Sequence, residues 1–549
     1  MGRSLLFNKL ARTIRIAHHC EENDISTKEG LERVADLEAR LRKRRASRRD
    51  FLGAMGKVAV VGAIGSVAWP LRSTLAAPPP GPVVNIAIVG AGLAGITCGG
   101  ELRKNGINAT LYEANNNRVG GRCFSLRGFF PNDQVAERGG EFIDNLHKTM
   151  LGYAQEFNLQ LEDVEKEPPG EVFYFFNGQH FPESQVVDEF RNLVAAMHDD
   201  LRVLTPPTAD NHTEADEDLD RTNLQEYLDT RGAGDLIKSA VKAAYIAEYG
   251  LEIEEQSCLN FLLFIHLDKR SKFRPFGVFS DERYHIIGGN DQIVEGLRSK
   301  FQDQIELGML LVRARKTSTG RVELTFKDGA RTVTVTHDAV VFAIPFSTLR
   351  EVELDESLEL TTEKRLAINE LRYGTNAKMM IGFNSRPWIA QGSKGTSYSD
   401  LLNHQNTWET NPIKATNTHA VLTDYSGGHR GASLNPQKVQ NEAKLFLTDL
   451  DRVYPGAFAA AFRDTKGRFR AHLEHWPSNP LVKGSYTCNH PGYFTTIADN
   501  EAKKVGNLYF AGEHTSSFYE WQGFMEGAAL SGIRAAQEIL QDIKDGDLG

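Results

Sequence analysis

An apolar strand, a glycine-rich turn that opens a helix, and a second strand together predict an α/β fold for this chain of 549 residues. The stretch VNIAIVG (84–90) is continuously apolar, as expected of a parallel strand that is buried on both faces. The sequence G-A-G-L-A-G follows at once, and the second strand is INATLYE (107–113). This order of elements indicates a parallel sheet with helices packed on it.

The glycine spacing in this unit predicts a dinucleotide site. Gly90 permits the tight turn, Gly92 lets a pyrophosphate approach the backbone, and Gly95 lets the helix 93–105 pack against the strand. The first amides of that helix then face the phosphates. Glu113 ends the second strand, where it can accept hydrogen bonds from ribose hydroxyls.

The segment after the second strand indicates which dinucleotide is bound. ANNNRVGGRCFS (114–125) resembles the flavin amine oxidase family, which includes monoamine, polyamine and L-amino-acid oxidases. The resemblance implies FAD, and it places Arg118 and the turn Gly120-Gly121-Arg122 along the pyrophosphate and the flavin. Guanidinium groups in that position make charge-assisted contacts with phosphate.

The C-terminal region resembles the same family independently. LYFAGEHTSSFYEWQGFMEGAALSGIRAAQEIL (508–540) matches the family's closing motif, in which Gly512 and Glu513 reach the cofactor. The segment 523–526, which includes Met525, then begins a helix whose first amides point at the flavin. A helix N-terminus stabilises the negative charge of a reduced flavin. Two cofactor motifs so far apart indicate a discontinuous domain.

The predicted architecture is therefore an FAD-binding Rossmann-like domain, which is discontinuous, and a substrate domain of mixed sheet and helices. Strands are predicted between 308 and 345, and the acidic stretch 209–220 is predicted to be a solvated loop. The expected divisions are 1–77 for an N-terminal extension with an export signal, 83–150, 281–345 and 490–542 for the FAD-binding domain, and 151–280 and 346–489 for the substrate domain.

The N-terminal stretch SRRDFLGAMGKVAVVGAIGSVAWPLRSTLAA (47–77) resembles a twin-arginine signal, with Arg48 and Arg49 before a short apolar run. Its core is too short and too rich in glycine for a membrane-spanning helix. We expect the protein to meet the twin-arginine export machinery and to become periplasmic or extracellular. The alternative is a buried or interfacial helix behind a chance basic run. Residues 1–45 are interpreted as a long, partly helical n-region.

Composition excludes several classes of function. The net charge of −9 disfavours a nucleic-acid partner, and no other stretch approaches transmembrane length. The five cysteines show no metal-ligand spacing and demand no disulfide. No metal site is predicted, and the oligomeric state, including a homodimer, stays open.

The family resemblance also implies catalytic residues. Segment 372–383 matches the segment whose lysine, here Lys378, holds a water against flavin N5 and assists oxygen. Ser485 stands where monoamine oxidases attach the flavin through a cysteine, so we expect non-covalent FAD. Tyr486 and Phe524 match the two walls of an aromatic cage, which steers an amine and excludes water.

The substrate is predicted from VAERGGEFIDNLH (135–147), which matches the segment facing the substrate pocket. Many L-amino-acid oxidases carry an arginine there that binds the substrate carboxylate, and Phe142 replaces it here. Asp144 matches an acid of some polyamine oxidases, and Glu141 is a second acid that could attract a cationic amine. Arg138 is an alternative carboxylate binder, although a buried ion pair with Glu137 or Glu141 fits it equally.

Three functions follow in order of preference. The first is an exported FAD oxidase that converts a primary or secondary amine to an imine, then to a carbonyl compound and ammonia, while O2 becomes H2O2. The second is an L-amino-acid oxidase. The third is a flavoprotein of the same fold that acts as a desaturase or isomerase or has no catalytic role.

Overall fold

The computed structural model describes residues 5–36, 84–164, 170–266, 282–412 and 418–548, and its architecture confirms the predicted α/β fold. Its centre is a five-stranded sheet in which all neighbouring strands are parallel. In spatial order the strands are Leu508–Phe510, Ala339–Phe342, Ile86–Val89, Ala109–Glu113 and Ile305–Leu307. Four residues of the middle strand are all buried, which explains its continuous apolar sequence.

Two helices cover one region of this sheet and lie against each other. The helix Leu93–Lys104 follows the glycine-rich turn, and Met525–Asp545 is the last helix of the chain. A Cβ atom at Gly532 would lie 2.2 Å from the carbonyl oxygen of Ala94, so the absence of a side chain allows the two backbones to approach. The helices Lys148–Glu156 and Asp291–Arg298 pack beside this pair.

A four-stranded sheet extends the same region of the molecule. The predicted strands between 308 and 345 are present, and three of them form this antiparallel layer while the fourth joins the parallel sheet. The strands of the layer, in spatial order, are Arg331–His337, Val322–Asp328, Leu310–Lys316 and Glu353–Leu354.

The substrate side of the molecule is built on a seven-stranded mixed sheet. Its strands, in spatial order, are Ala471–His475, Ala377–Phe383, Ala420–Ser426, His404–Glu409, Ser393–Leu401, Glu171–Phe176 and Gln179–Phe181. In the described ranges after residue 170, its α-helices of seven or more residues are Glu183–Val203, Glu214–Arg221, Leu224–Thr230, Asp235–Tyr249, Leu259–His266, Thr362–Glu370 and Val439–Val453. Helix Asp235–Tyr249 is buried along most of its length, because the sheet and other helices surround it.

Three short strand pairs connect distant parts of the chain. One pair joins Arg372–Tyr373 to Thr487–Cys488, which brings the segment of Lys378 next to that of Tyr486. The other two pairs are Ser125–Leu126 with Ala136–Glu137, and Leu161–Asp163 with Tyr284–Ile286.

The acidic stretch 209–220 is not the solvated loop that its composition predicts. Helix Glu214–Arg221 begins there with a capping box, in which Thr213 Oγ1 accepts from the backbone N–H of Asp216 at 3.1 Å and the Asp216 carboxylate accepts from the backbone N–H of Thr213 at 2.9 Å. Asp220 is buried and accepts hydrogen bonds from Thr495. Burial and specific donors therefore account for part of this acidic run.

The first residues of the chain are partly helical, as predicted. Helix Leu5–Glu22 packs on the substrate side, against helices Glu183–Val203 and Asp235–Tyr249. The helical residues 27–36 contact Glu183–Val203 through the hydrogen bond from Thr27 to Asp188. The twin-arginine stretch 47–77 lies outside the described residues. No helix within the described ranges is both long enough and apolar enough to cross a membrane.

Candidate active site

A cavity of about 520 Å³ runs between the parallel sheet and the substrate domain. One end is lined by the ends of the parallel strands and the glycine-rich turn, and the other by aromatic side chains of the seven-stranded sheet. The cavity therefore joins the predicted dinucleotide site to the predicted substrate site.

The glycine-rich turn has the geometry that a dinucleotide requires. Gly90 has a φ of +101°, and a Cβ atom there would lie 2.7 Å from the carbonyl oxygen of Ala343. A Cβ at Gly95 would lie 2.0 Å from the carbonyl oxygen of Gly90, so this position permits the helix to contact the strand. Gly92 lines the cavity, and its Cβ would meet only Gly121 Cα, at 3.9 Å, which leaves room for a ligand.

Glu113 lies on the cavity wall at the end of its strand. Its carboxylate accepts from the backbone N–H groups of Ala91 and Asn115, each at 2.8 Å. Burial raises the pKa of this carboxyl, and the two amide donors oppose the shift. The carboxylate thus ties the glycine-rich turn to the second strand and leaves oxygen lone pairs for a ligand hydroxyl.

The two arginines expected near the cofactor also line the cavity. Arg122 donates to the Ser485 carbonyl oxygen at 2.7 Å and to Glu513 Oε1 at 3.0 Å. Glu513 Oε2 accepts from Thr487 Oγ1 at 3.0 Å. Glu513 therefore connects the C-terminal motif to Arg122 and to the segment of Ser485. The Arg118 guanidinium stacks 4.1 Å from the centre of the Phe124 ring.

The N-terminus of the last helix opens onto the cavity. Phe524 is its N-cap, and Phe524, Met525 and Ala528 line the wall together with Gly512. The first amides of a helix have no partners within the helix and carry partial positive charge. A Cβ at Gly140 would lie 2.7 Å from Met525 Cγ, so the segment before the substrate site also packs closely on this helix.

These features fit a flavin dinucleotide. His514 is a cavity-lining residue that the sequence interpretation missed, and its two ring nitrogens are buried without a hydrogen-bond partner. Burial lowers the pKa of His514 well below its usual value, so the imidazole is neutral. The open space at Gly92 and the guanidinium groups complete a site for a ligand with phosphates and polar ring atoms.

Lys378 lies on the cavity wall in strand Ala377–Phe383, and protein groups take all three of its N–H donors. Nζ donates to Glu141 Oε2 at 2.7 Å and to the carbonyl oxygens of Gly139 at 2.8 Å and Glu137 at 3.2 Å. The ammonium is therefore part of an ion pair, which differs from the predicted lysine that holds a water.

Glu141 is the acid that the structure brings to the substrate end of the cavity. Its second oxygen, Oε1, accepts from Trp408 Nε1 at 2.9 Å. The carboxylate is thus held by one cation and one indole, and the side chain is 4% exposed. Each oxygen retains a lone pair, so the carboxylate can accept a further hydrogen bond from a ligand.

The predicted aromatic residues Tyr486 and Phe524 both line the cavity, and further aromatic side chains accompany them. Tyr486 OH lies 2.8 Å from Tyr425 OH and donates to the Glu248 carbonyl oxygen at 2.7 Å. These bonds hold the Tyr486 ring to helix Asp235–Tyr249. Apolar walls with a few polar groups are typical of a small-molecule site.

Two predicted substrate-binding residues do not line the cavity. Asp144 is fully buried and accepts from the backbone N–H of Leu146 at 2.8 Å, so it organises the start of the neighbouring helix. Arg138 forms an ion pair with Glu474 and stacks 4.1 Å from the Phe124 ring centre. The predicted pairing of Arg138 with Glu137 or Glu141 is wrong, because the partner comes from a distant strand.

Trp408 and Tyr425 are cavity residues that the sequence interpretation did not find. Trp408 lies in His404–Glu409 and Tyr425 in Ala420–Ser426, two neighbouring strands of the seven-stranded sheet. Their rings lie 5.5 Å apart, and Lys378 Nζ lies 5.8 Å from the centre of each. The tryptophan in the otherwise polar strand HQNTWE could have indicated a functional position, but the sequence does not show which side chains it contacts.

Metal and disulfide chemistry have no visible basis in the described ranges. No group of three or more His, Cys, Asp or Glu side chains there is arranged to hold a metal ion. All five cysteines of the chain are described, and they are buried free thiols.

A family model and several known proteins match most of this chain. The model described as flavin containing amine oxidoreductase matches residues 93–540. The Bacillus subtilis (strain 168) protein YobN, whose name assigns L-amino-acid oxidase activity provisionally, is 26% identical over 83% of this chain and 94% of its own length. The flavin-containing amine oxidase B of Sus scrofa is 22% identical over 83% of this chain and 86% of its own length. The L-amino-acid oxidase of Naja atra is also 22% identical, over 83% of this chain and 87% of its own length.

Solved structures share the fold. Cyclohexylamine oxidase from Brevibacterium oxydans IH-35A superposes with a TM-score of 0.70 at 20% identity, over 84% of this chain and 100% of that one. Wild-type putrescine oxidase bound to putrescine gives a TM-score of 0.68 at 18% identity, over 83% of this chain and 99% of that one.

Proposed function

Because the chain belongs to the flavin-containing amine oxidoreductase family, we propose that it is an FAD-dependent oxidase of primary or secondary amines. The observation that carries the proposal is the substrate end of the cavity, where a carboxylate, Glu141, lies among aromatic side chains beside the predicted flavin site. Aromatic faces and an anion are the groups that attract an amine. Relatives named as amine oxidases and the structural likeness to putrescine and cyclohexylamine oxidases support this substrate class.

FAD held in this cavity would supply a two-electron oxidation of the amine to an imine, with O2 as the electron acceptor and H2O2 as its product. Hydrolysis of the imine would give a carbonyl compound, with ammonia from a primary amine or a primary amine from a secondary one. Tyr486 and Phe524 flank the amine and exclude water, which favours its neutral form. Glu141 orients the amine nitrogen, and Lys378 keeps Glu141 in place. The amides at the start of the last helix would stabilise negative charge on a flavin ring held at that end of the cavity.

Ser485 supports non-covalent binding of the cofactor. Its hydroxyl donates to Asn376 Oδ1 at 2.6 Å, and its carbonyl oxygen accepts from Arg122. Ser485 stands at the position of the attachment cysteine. Cys488 lies three residues later and is fully buried, and its short strand pairs with Arg372–Tyr373. Acid precipitation of the holoprotein should therefore leave all the flavin in the supernatant, and flavin retained in the pellet would contradict this.

An L-amino-acid oxidase is the second candidate, and it is favoured by relatives with that name. Such an enzyme needs a cation for the substrate carboxylate. Phe142 occupies the position of the arginine that binds the substrate carboxylate in many L-amino-acid oxidases. Arg138 is paired with Glu474 outside the cavity. Lys378 is paired with Glu141. Because these two cations already have carboxylate partners, the described part of the cavity wall favours an amine over an L-amino acid as the substrate.

Separate substitutions of Glu141 and Asp144, two of the acids in the segment 135–147, test the proposal. Glu141→Gln removes the anion in the cavity, so the KM for a diamine should rise roughly ten- to hundredfold, because a charged hydrogen bond is worth about 1.5–3 kcal/mol. Asp144→Asn is the matched control, since Asp144 does not line the cavity and its change should leave KM unaltered. A KM that responds to Asp144→Asn but not to Glu141→Gln would overturn the assignment of Glu141.

We also propose that the enzyme is exported by the twin-arginine route after it has folded around FAD. The motif at Arg48 and Arg49 and the cytoplasmic supply of the cofactor support this proposal. Residues 1–80 should export a folded reporter, and Lys-Lys at positions 48 and 49 should stop that export. Export that persists in the Lys-Lys variant would exclude the route.

A further inference from the structure

We infer that residues 5–36 are a permanent part of the substrate domain, and that they stay bound to it when the chain is cut between residues 37 and 83. This segment was expected to be a leader that leaves with the export signal. Its contacts in the structure are those of a core element, and the inference holds whether or not the protein is exported.

The first observation is the burial of the helix Leu5–Glu22. Five of its apolar residues are at most 2% exposed, namely Leu10, Ile14, Ile16, Ala17 and Cys20. They belong to the same hydrophobic cluster as Tyr174 of the seven-stranded sheet and Phe190 of helix Glu183–Val203. Val34, at 1% exposed, adds the second helical stretch to this cluster.

The second observation is a set of polar contacts between this segment and the substrate domain. Arg191 donates to the Ile25 carbonyl oxygen at 2.9 Å and to Thr27 Oγ1 at 3.2 Å, and it forms an ion pair with Glu21. Thr27 also donates to Asp188, on the same helix as Arg191. Specific donors and acceptors therefore fix the register of the segment on helix Glu183–Val203.

These contacts distinguish the segment from a signal peptide, which is removed from the folded protein. Signal peptides are recognised and removed without loss of a folded core. Removal of residues 5–36 would uncover the faces of helices Glu183–Val203 and Asp235–Tyr249 on which the segment packs. Exposed apolar surface of that kind destabilises the folded state. The segment therefore has to remain, either uncut or as a bound fragment.

The segment also lies one helix away from the substrate site. Helix Asp235–Tyr249 contacts Leu5–Glu22, and its last turn supplies the carbonyl oxygens that accept from Tyr486 OH and from Asn376 Nδ2. Asn376 in turn accepts from Ser485 Oγ. Loss of the segment should therefore change KM through the position of Tyr486, in addition to lowering stability.

A cut in the holoprotein tests this inference. A protease site placed within 77–83 allows cleavage after folding, followed by size exclusion under native conditions. The N-terminal fragment should co-elute with the body, and Cys20 should stay protected from a thiol reagent, as judged by mass spectrometry of its peptide. The inference is overturned if the fragment separates while the body keeps its thermal unfolding midpoint and its KM.

A pair of substitutions in the uncut chain provides an independent test. Ile14→Asp places a charge in the buried cluster and should lower the thermal unfolding midpoint by about 5 °C or more. Lys28→Asp introduces the same side chain at an exposed position of the segment and should leave the midpoint unchanged. If the two variants melt alike at the wild-type temperature, the segment does not belong to the core. If Ile14→Asp does not fold at all, the segment is shown to be required.

Discussion

At the residue scale, Lys378 and Glu141 depend on each other. Their side chains are 7% and 4% exposed, and Nζ lies 2.7 Å from Oε2. A buried charge that loses its partner is costly, whereas loss of both partners can be nearly neutral. The pair therefore sets the charge of the substrate end of the cavity as a unit.

A double-mutant cycle measures this dependence. Lys378→Met leaves the Glu141 carboxylate buried without a cation, and we expect a loss of about 3–5 kcal/mol in the free energy of unfolding. Adding Glu141→Gln should restore a large part of that loss. Urea unfolding of the wild type, both single variants and the double variant gives the coupling energy. Losses that simply add would show that the two side chains act independently.

The sequence predicted the position of Lys378 but not its partner. The resemblance of a local segment is enough to place the lysine on a buried strand at the cavity. Glu141 is 237 residues earlier in the chain, so the ion pair depends on how two distant segments fold together. The same reason explains why Arg138 was given the wrong partner, since Glu474 lies 336 residues away.

At the element scale, the strand, turn and helix near residue 90 were predictable because every requirement is local. Gly90 needs its left-handed backbone, and Gly95 needs the absence of a side chain. The helix Glu214–Arg221 was missed although its capping box is also local. Its acidic residues resemble a solvated run, and burial of Asp220 depends on Thr495, which no pattern reveals.

Two glycines of helix Leu93–Lys104 provide a test with an internal control. Gly95→Ala would put a Cβ 2.0 Å from a backbone oxygen, so the variant should lose flavin binding and unfold more easily. Gly100→Ala would meet only Phe301 at 3.6 Å and should be neutral or more stable by about 0.5–1 kcal/mol, since alanine favours helix. The ratio of flavin to protein absorbance reports binding. Equal flavin content in both variants would contradict the role of Gly95.

At the scale of the whole molecule, a buried histidine that remains uncharged makes stability depend on pH. His147 is fully buried beside Trp521 and Phe524, at ring-centre distances of 4.4 and 5.2 Å. Its Nδ1 accepts from the backbone N–H of Asp144 at 3.0 Å, which requires a neutral ring. Burial lowers the pKa of His147 to about 3.

This pKa predicts how stability depends on pH. The unfolded chain binds a proton at His147 below pH 6.5, while the folded protein does not until about pH 3. The contribution of His147 is therefore complete above pH 6.5 and is lost as the pH falls toward 3, by up to about 1.4 kcal/mol per pH unit. His147→Gln should reduce the slope of unfolding free energy against pH in this range. His198→Gln, at an exposed position, is the control. Equal slopes in both variants would contradict the burial of an uncharged His147.

The central claim, oxidation of amines in preference to L-amino acids, is tested most directly by mixing the FAD-loaded protein with each substrate class without oxygen. Loss of flavin absorbance is followed in the stopped flow, and H2O2 and ammonia are measured after oxygen is admitted. We predict that mono- and diamines bleach the flavin and release H2O2, and that L-amino acids do so far more slowly. Rapid bleaching by L-amino acids with no response to amines would contradict the account and make the protein an L-amino-acid oxidase.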